Sequence, residues 1–163
     1  MRIETTETVY RHRGWPYVPA ETITAQMNLP YTAAVTLLEG TVFVDQYTDE
    51  KLRDPKILDL AGRVEVVVVS DLEALGPREM RAVRVSVTMK SGEVFKERVL
   101  YRSGHWKNPL SDETLASKFR DLAGRVLQPD AVTNIEAIVW GLDKQPNPGG
   151  ALAAELGKLK AAH

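Results

Sequence analysis

The sequence contains no cysteine, so disulfide bonds, thiolate zinc sites and cysteine nucleophiles are excluded. It also has no excess of positive charge, because 21 Lys and Arg side chains stand against 22 Asp and Glu, for a formal net charge of −1. Nucleic-acid binding therefore has little support. Long apolar runs are missing too, since the longest, Val66 to Val69, is far below the ~20 residues that span a bilayer. With no apolar signal-peptide core in residues 1–10, we expect a soluble, cytoplasmic protein whose partners include neither a membrane nor a nucleic acid.

The usual motifs of metal and nucleotide sites are absent as well. The three histidines, His12, His105 and His163, have neither the i, i+4 nor the clustered spacing of a metal site. No glycine-rich dinucleotide motif, Walker A motif or serine-nucleophile elbow occurs. The sequence therefore predicts no metal and no cofactor.

Helix signals are plentiful in the second half of the chain. Ser111 has the residue type of an N-cap, and apolar residues then recur with helical spacing. These residues, which predict one buried helix face, are Leu115, Phe119, Leu122 and Val126. A further helix is expected to start at Pro129 with an apolar face made of Val132, Ile135, Val139 and Leu142.

Prolines and glycines divide the helices expected in the first half. The pattern over residues 20–38 is helical but is broken at Pro30, and its second piece stops at Gly40. That piece, residues 31–38, is apolar on most sides, so it requires cover on most sides. Pro55 separates two short helices over residues 49–62.

Strands are expected at four places. Residues 3–10 suggest one strand, and the Val-rich segment 64–70 suggests a buried central strand. Residues 81–90 alternate cleanly and form a hairpin with the strand containing Phe95, Val99 and Tyr101. Only a three-residue loop, Lys90 to Gly92 with Gly92 left-handed, places the valines of one strand beside the apolar residues of the other.

These elements predict an α+β fold, a two-layer sandwich in which about four mostly antiparallel strands carry helices on one face. A chain of 163 residues suits one compact domain. We assign residues 1–145 to this domain. Residues 146–163, which begin with a Pro- and Gly-rich stretch, are expected to form a flexible or helical tail.

Two places carry residues that suit chemistry. The segment GHWKNP, residues 104–109, lacks apolar periodicity, and His105 with Lys107 suits an anionic substrate, although a solvated loop histidine is the alternative. Tyr31 starts the apolar helix, where periodicity alone indicates a core or interface tyrosine.

Several segments in order resemble the small C-terminal domain of the MmgE/PrpD family. They are AQMNLPYTAAVTLLEG, FVDQYTDEKLRDPKILDLAGRVEV, VSVTMKSGEVFKERV and GHWKNPLSDETLASKF, followed by a last helix. The similarity covers about residues 3–142. The family includes dehydratases of 2-methylcitrate, cis-aconitate decarboxylases and an iminodisuccinate epimerase. The resemblance thus implies a lyase component that acts on small polycarboxylates without a nucleotide cofactor.

The resemblance also implies roles for particular residues. Tyr31 falls on a tyrosine that the family places beside the substrate, where its O–H holds a carboxylate or transfers a proton, so we take it as the catalytic candidate. Gly104 and His105 match a Gly-His pair of citrate- and aconitate-type members, and with Lys107 they are the substrate-binding candidates. One departure is that many members have a basic residue followed by Phe-Ser where this chain has residues 26–28, Gln-Met-Asn.

A second departure concerns the family's large helical domain, which supplies most of the acid–base residues and which this sequence does not include. The chain is therefore expected to be a separate subunit, a truncated gene product or an excised domain. Two functions stay open: a lyase component completed by a helical domain or subunit, and a non-catalytic binding or oligomerisation module that keeps the fold. In either case we expect the isolated chain to be inactive and to form a homo-oligomer, a dimer, through the 31–38 helix.

Overall fold

The computed structural model describes residues 1–77 and 81–160. The chain divides into two compact units, Met1–Arg102 and Ser103–His163. His163, one of the three histidines considered above, lies outside the described residues, as does the end of the predicted tail. No helix in the described ranges is long and apolar enough to cross a membrane.

The first unit contains a mixed β-sheet. Its strands are β1 (Arg2–Thr5), β2 (Glu65–Val68), β3 (Val83–Thr88) and β4 (Val94–Val99), in the spatial order β2-β1-β3-β4. β1 pairs with β2 in parallel and with β3 antiparallel, and β3 pairs with β4 antiparallel. For the part of the chain that the structure describes, these strands and their helices confirm the α+β class and the four-stranded, mostly antiparallel sheet.

The predicted central position of the Val-rich strand is wrong. Among the described residues, β2 lies at an edge of the sheet and pairs only with β1, and none of its four residues is buried, so the predicted burial is wrong as well. β1 is an inner strand instead, with Ile3 and Thr5 buried on one of its faces. A run of valines indicates strand propensity, but strand order depends on partners that are distant in the sequence.

The strand predicted over residues 3–10 is too long. β1 ends at Thr5, and helix α1 (Glu7–Arg13) follows at once. Glu7 in its first turn and Arg11, His12 and Arg13 in its last turn complement the helix dipole. The Thr and Val residues of this segment favour a strand, and here the charge order and tertiary packing outweigh that weak preference.

The predicted register of the hairpin is confirmed. Val83 pairs with Val99, and Val87 pairs with Phe95. The Gly92 N–H donates to the Met89 carbonyl at 2.9 Å, and Gly92 has φ 89°. A left-handed residue at this point of a three-residue loop keeps the two strands in register.

Helix breaks in the first unit follow the prolines and caps. The helices are α2 (Thr22–Gln26), α3 (Leu29–Glu39), α4 (Asp49–Leu52), α5 (Pro55–Gly62) and α6 (Ser70–Glu73), with a 3-10 turn at Val44–Tyr47. Pro30 and Pro55 lie in the first turns of α3 and α5, and Gly40 ends α3 with φ 74°. The predicted break at Pro30, the stop at Gly40 and the division at Pro55 are confirmed.

The core of the first unit forms around α3 and α5. Tyr31, Val35, Leu52 and Ile57 are among its fully buried side chains. The apolar helix is thus largely covered within its own unit, which the expectation of an outside partner did not foresee. Leu37 and Leu38 remain, each 46% exposed.

The second unit is built from α7 (Asp112–Ala123), α8 (Pro129–Trp140) and α9 (Pro148–Leu156), with a 3-10 turn at Leu142–Lys144. The predicted cap of α7 is confirmed, because Ser111 Oγ accepts from the Thr114 N–H at 3.2 Å. In α8, Val132 and Ile135 are buried as predicted.

The predicted burial of two helix faces is wrong in part. Leu115, Leu122 and Val126 around α7, and Val139 and Leu142 around α8, are exposed. Ala116 is buried instead, and Phe119 is half-buried against the cluster centred on α8. Periodicity identifies a helix face, but how far a neighbour covers that face is a property of the tertiary structure.

Part of the segment expected to be a flexible or helical tail forms α9. Leu152 packs against the core cluster of α8, and Asn147 caps the helix by accepting from the Gly150 N–H at 3.1 Å. Beyond α9, the Lys160 N–H donates to the Val126 carbonyl at 2.8 Å.

Candidate functional site

Tyr31 is held in the first turn of α3 by the side chain of Asn28. The Oδ1 atom of Asn28 accepts from the Tyr31 N–H at 2.9 Å, and its Nδ2 donates to the Trp15 carbonyl at 2.8 Å. Asn28 is itself buried, so both bonds are made away from water. Asn28 therefore caps the helix that carries the tyrosine.

The Tyr31 side chain is completely enclosed, with 0% of its surface exposed. Its O–H donates to the Gln46 carbonyl at 2.5 Å, and the rings of Tyr17 and Tyr47 lie 4.7 Å and 5.8 Å from its own. Burial raises the pKa of this phenol well above its usual range, so Tyr31 stays neutral. In this conformation the hydroxyl is occupied within the protein, and proton transfer to a substrate would require the bond to Gln46 to open.

A polar network surrounds the 3-10 turn that accepts from Tyr31. Gln46 Oε1 accepts from the Phe43 N–H at 2.8 Å, and its Nε2 donates to Glu39 at 3.1 Å. Lys51 Nζ donates to Glu39 at 2.5 Å, and this bond lowers the pKa of the Glu39 carboxyl. Sequence reasoning missed this network, because its members lie in three separate elements and match no motif.

Gly104, His105 and Lys107 lie together in a tight turn of the second unit. The Gly104 N–H donates to the Asn108 carbonyl at 2.9 Å, and the Asn108 N–H donates to the His105 carbonyl at 2.7 Å. Gly104 has φ 82°, a conformation that favours glycine. The segment that contains these residues is therefore a defined turn.

Side chains of this turn stack on Trp106. The His105 ring centroid lies 5.8 Å from that of Trp106, and Lys107 Nζ lies 5.2 Å from the indole centroid. His105 Nδ1 accepts from the Lys107 N–H at 3.1 Å, which assigns the proton of the neutral ring to Nε2. The turn thus presents one imidazole and one ammonium group at a surface where Trp106 is 78% exposed.

The predicted site residues fall into two groups. Gly104, His105 and Lys107 share one turn of the second unit, whereas Tyr31 belongs to the first unit. Across residues 1–77 and 81–160, no cluster of histidine and acidic side chains is arranged to hold a metal ion.

Sequence reasoning also missed a basic cavity in the first unit. Arg13, Arg81 and Arg102 line it, together with His12. These residues come from three distant parts of the sequence, so no local motif joins them. Their arrangement depends on the strand pairing in the sheet and on α1. The sequence pattern did not predict α1.

The chain belongs to the MmgE/PrpD family, because the family model described as MmgE/PrpD C-terminal domain matches residues 1–144. The first-unit sheet and most of the second-unit helices lie in the matched region. This match bears out the resemblance inferred from the separate sequence segments.

Among known proteins the chain is similar to cis-aconitate decarboxylases. It is 31% identical over 134 residues to the Homo sapiens enzyme, a match that covers 82% of this chain and 27% of the relative. With the Aspergillus terreus enzyme it is 31% identical over 137 residues, covering 82% and 28% respectively. A cis-aconitate decarboxylase-like protein of Aspergillus oryzae is 26% identical over 159 residues, or 96% of this chain and 32% of that protein. The chain therefore spans about a third or less of the length of these relatives.

Proposed function

We propose that this chain is the C-terminal-domain part of a lyase that acts on a small polycarboxylate of the cis-aconitate type. The observation that carries the proposal is the family match, together with similarity to relatives named cis-aconitate decarboxylases. Because the chain corresponds to only 27% and 28% of two of those relatives, a helical domain or subunit completes the catalytic site in this proposal.

The turn at residues 104–108 supplies the substrate-side charge. Lys107 carries a positive charge, and Nε2 is the donor nitrogen of the His105 ring because Nδ1 accepts from the Lys107 N–H, so both suit the carboxylates of an acid. Tyr31 is the catalytic candidate, and it acts if the helical partner draws its hydroxyl away from Gln46. Dehydration and decarboxylation both need a positioned acid and base, which the partner provides.

A non-catalytic role has one observation in its favour. The Tyr31 hydroxyl is buried and already donates to the Gln46 carbonyl, as expected of a tyrosine that stabilises the fold. In this second proposal the chain keeps the family fold as a binding or oligomerisation module.

A chimera tests the catalytic proposal. This chain replaces the matching C-terminal segment of the Homo sapiens cis-aconitate decarboxylase, and consumption of cis-aconitate and release of CO₂ are measured. We expect turnover by the chimera and none by the isolated chain, because the isolated chain lacks the positioned acid–base groups. Lys107→Gln in the chimera should raise KM about tenfold through loss of one charge-assisted hydrogen bond.

Lys118→Gln is the matched control, since it removes the same charge from a position on α7 outside this turn. Circular dichroism and size-exclusion chromatography establish whether each chimera is folded. A folded chimera that consumes neither cis-aconitate nor 2-methylcitrate contradicts the lyase proposal. Turnover by the isolated chain contradicts the requirement for a helical partner.

The partner surface in this proposal includes Leu37 and Leu38, two exposed apolar residues of α3. Without the helical partner, we expect these side chains to pair with a second copy in a symmetric dimer. Leu38→Lys should then give a monomer by light scattering, while Val18→Lys, at an exposed loop position, leaves the dimer intact. A wild-type chain that is monomeric at high concentration rules out this self-association.

A further inference from the structure

A cavity of about 410 Å³ lies in the first unit at one end of the sheet. Val83 at the start of β3 pairs with Thr5 at the end of β1 and with Val99 at the end of β4. This pairing places the chain just before β3 and just after β4 at the same end of the sheet, and α1 starts there as well. Arg81, Arg102 and the last turn of α1 therefore meet around one space.

The lining of this cavity includes both apolar and basic residues. Val9, Met27, Leu29 and Val83 contribute apolar surface, whereas Arg13, Arg81, Arg102 and His12 contribute the charged or titratable groups. None of the described lining residues is acidic. A pocket of this size, apolar with a few convergent polar groups, is typical of a small-molecule site.

The three cavity arginines have no acidic partner among residues 1–77 and 81–160. Many other arginines in the described ranges do have one, and those pairs include Arg2 with Glu65, Arg63 with Asp59 and Arg84 with Asp71. All three arginines are exposed to solvent, so their positive charge is available to an anionic ligand at the cavity.

A cavity of the second unit shows the opposite arrangement. Its space is about 580 Å³, and Arg120 lines it. The Arg120 guanidinium donates twice to Glu136, each time at 2.7 Å, and once to Glu113 at 2.9 Å. The charge of Arg120 is therefore already neutralised by two carboxylates, whereas Lys160, which also lines this cavity, donates to the Gly124 carbonyl.

The geometry points to the first-unit cavity as a binding site for a small di- or tricarboxylate. Each guanidinium is a planar fork that matches a carboxylate, and three forks around one space suit an acid with two or three carboxylates. His12 is oriented by its Nδ1, which donates to the Thr8 carbonyl at 2.7 Å. The ligand class rests on the proposed function, and the site itself rests on the cavity and its unpaired arginines. Tyr31 does not line this cavity, so the site binds the acid without it.

Calorimetric titration of the full chain with tricarballylate tests this site. Tricarballylate is a saturated tricarboxylate with no group to eliminate and no double bond, so binding is measured without turnover. We expect saturable binding at one site per chain, with the affinity falling from tricarballylate to glutarate to butyrate as carboxylates are removed. Arg13→Gln, Arg81→Gln and Arg102→Gln should each weaken tricarballylate binding about tenfold.

Arg98→Gln is the matched control for these variants. Arg98 is an exposed arginine of β4 that does not line the cavity, and its replacement changes the net charge by the same amount. We expect Arg98→Gln to leave the affinity within about twofold, since long-range charge effects are screened at about 0.15 M salt. Amide NMR shifts on titration should concentrate in α1 and at the ends of β3 and β4.

Three results would overturn the site. They are the absence of saturable binding by the wild-type chain, equal weakening by Arg98→Gln and the cavity variants, and binding of inorganic phosphate as tight as that of tricarballylate. The last result identifies a general anion site without preference for carboxylates. The result of this titration can be distinguished from that of the chimera experiment. An inactive chimera does not change how tightly the isolated chain binds tricarballylate, and an active chimera does not require the isolated chain to bind it.

Discussion

Replacing Tyr31 by Phe removes one buried hydroxyl while keeping the ring that packs between Tyr17 and Tyr47. The lost bond is the donation to the Gln46 carbonyl at 2.5 Å. In the variant this carbonyl faces an apolar ring edge with its acceptor unsatisfied. An unsatisfied buried partner costs about 1–3 kcal/mol, so we expect the free energy of unfolding to fall by about that amount.

Alkaline pH gives the same variant a second signature. Because the folded-state pKa of Tyr31 is raised by burial, the unfolded chain releases the phenolic proton first as the pH rises above about 10. The stability that Tyr31 contributes is therefore complete below that pH and is lost above it. The phenylalanine ring of the variant has no such proton, so the stability difference between wild type and Tyr31→Phe should narrow at alkaline pH.

Urea unfolding followed by far-UV circular dichroism measures both effects, and thermal unfolding gives an independent value. At this chain length, each kcal/mol lost lowers Tm by roughly 2–4 °C. Tyr10→Phe is the matched control, because Tyr10 is 40% exposed on α1, and surface changes stay within about 0.5 kcal/mol. If Tyr31→Phe also changes the free energy of unfolding by no more than about 0.5 kcal/mol, the bond to Gln46 is not a stabilising contact, and the structural role of Tyr31 is refuted.

Two further changes test the network and the hairpin. Glu39→Gln should lower Tm at pH 7, because the bond to Lys51 is the chief cause of the lowered pKa of Glu39 and stabilises the folded state. This stabilisation is present above about pH 4.3 and is lost as the pH falls through the folded-state pKa. The Tm values of the wild type and the variant should therefore converge in acid. Equal Tm values at pH 7 would contradict this. Gly92→Ala should cost about 1–2 kcal/mol from its φ of 89° alone, since nothing lies within 4 Å of an added Cβ. At Gly62 an added Cβ likewise meets nothing within 4 Å, and φ is not positive, so Gly62→Ala should leave the free energy of unfolding unchanged or raise it. If both variants lose the same free energy of unfolding, the strain argument for Gly92 is refuted.

Local signals in the sequence were enough to predict several elements. Ser111 caps α7, Pro30 and Pro55 lie in the first turns of α3 and α5, and Gly40 ends α3. The hairpin register followed from matching apolar faces across one short loop, and the structure has that register. Each of these features depends on residues that are close in the sequence, where steric limits and backbone hydrogen bonds restrict the choices.

Features that join distant residues were not predicted. The sequence alone determined the family, several helix boundaries and the hairpin. Only the tertiary structure decided that β1 rather than β2 is an inner strand, that Ala116 rather than Leu115 is buried, and that Arg13, Arg81 and Arg102 line one cavity. Periodicity specifies which side of an element is apolar, but the free energy of burial depends on which neighbour covers it, and that neighbour is selected by packing across the whole chain.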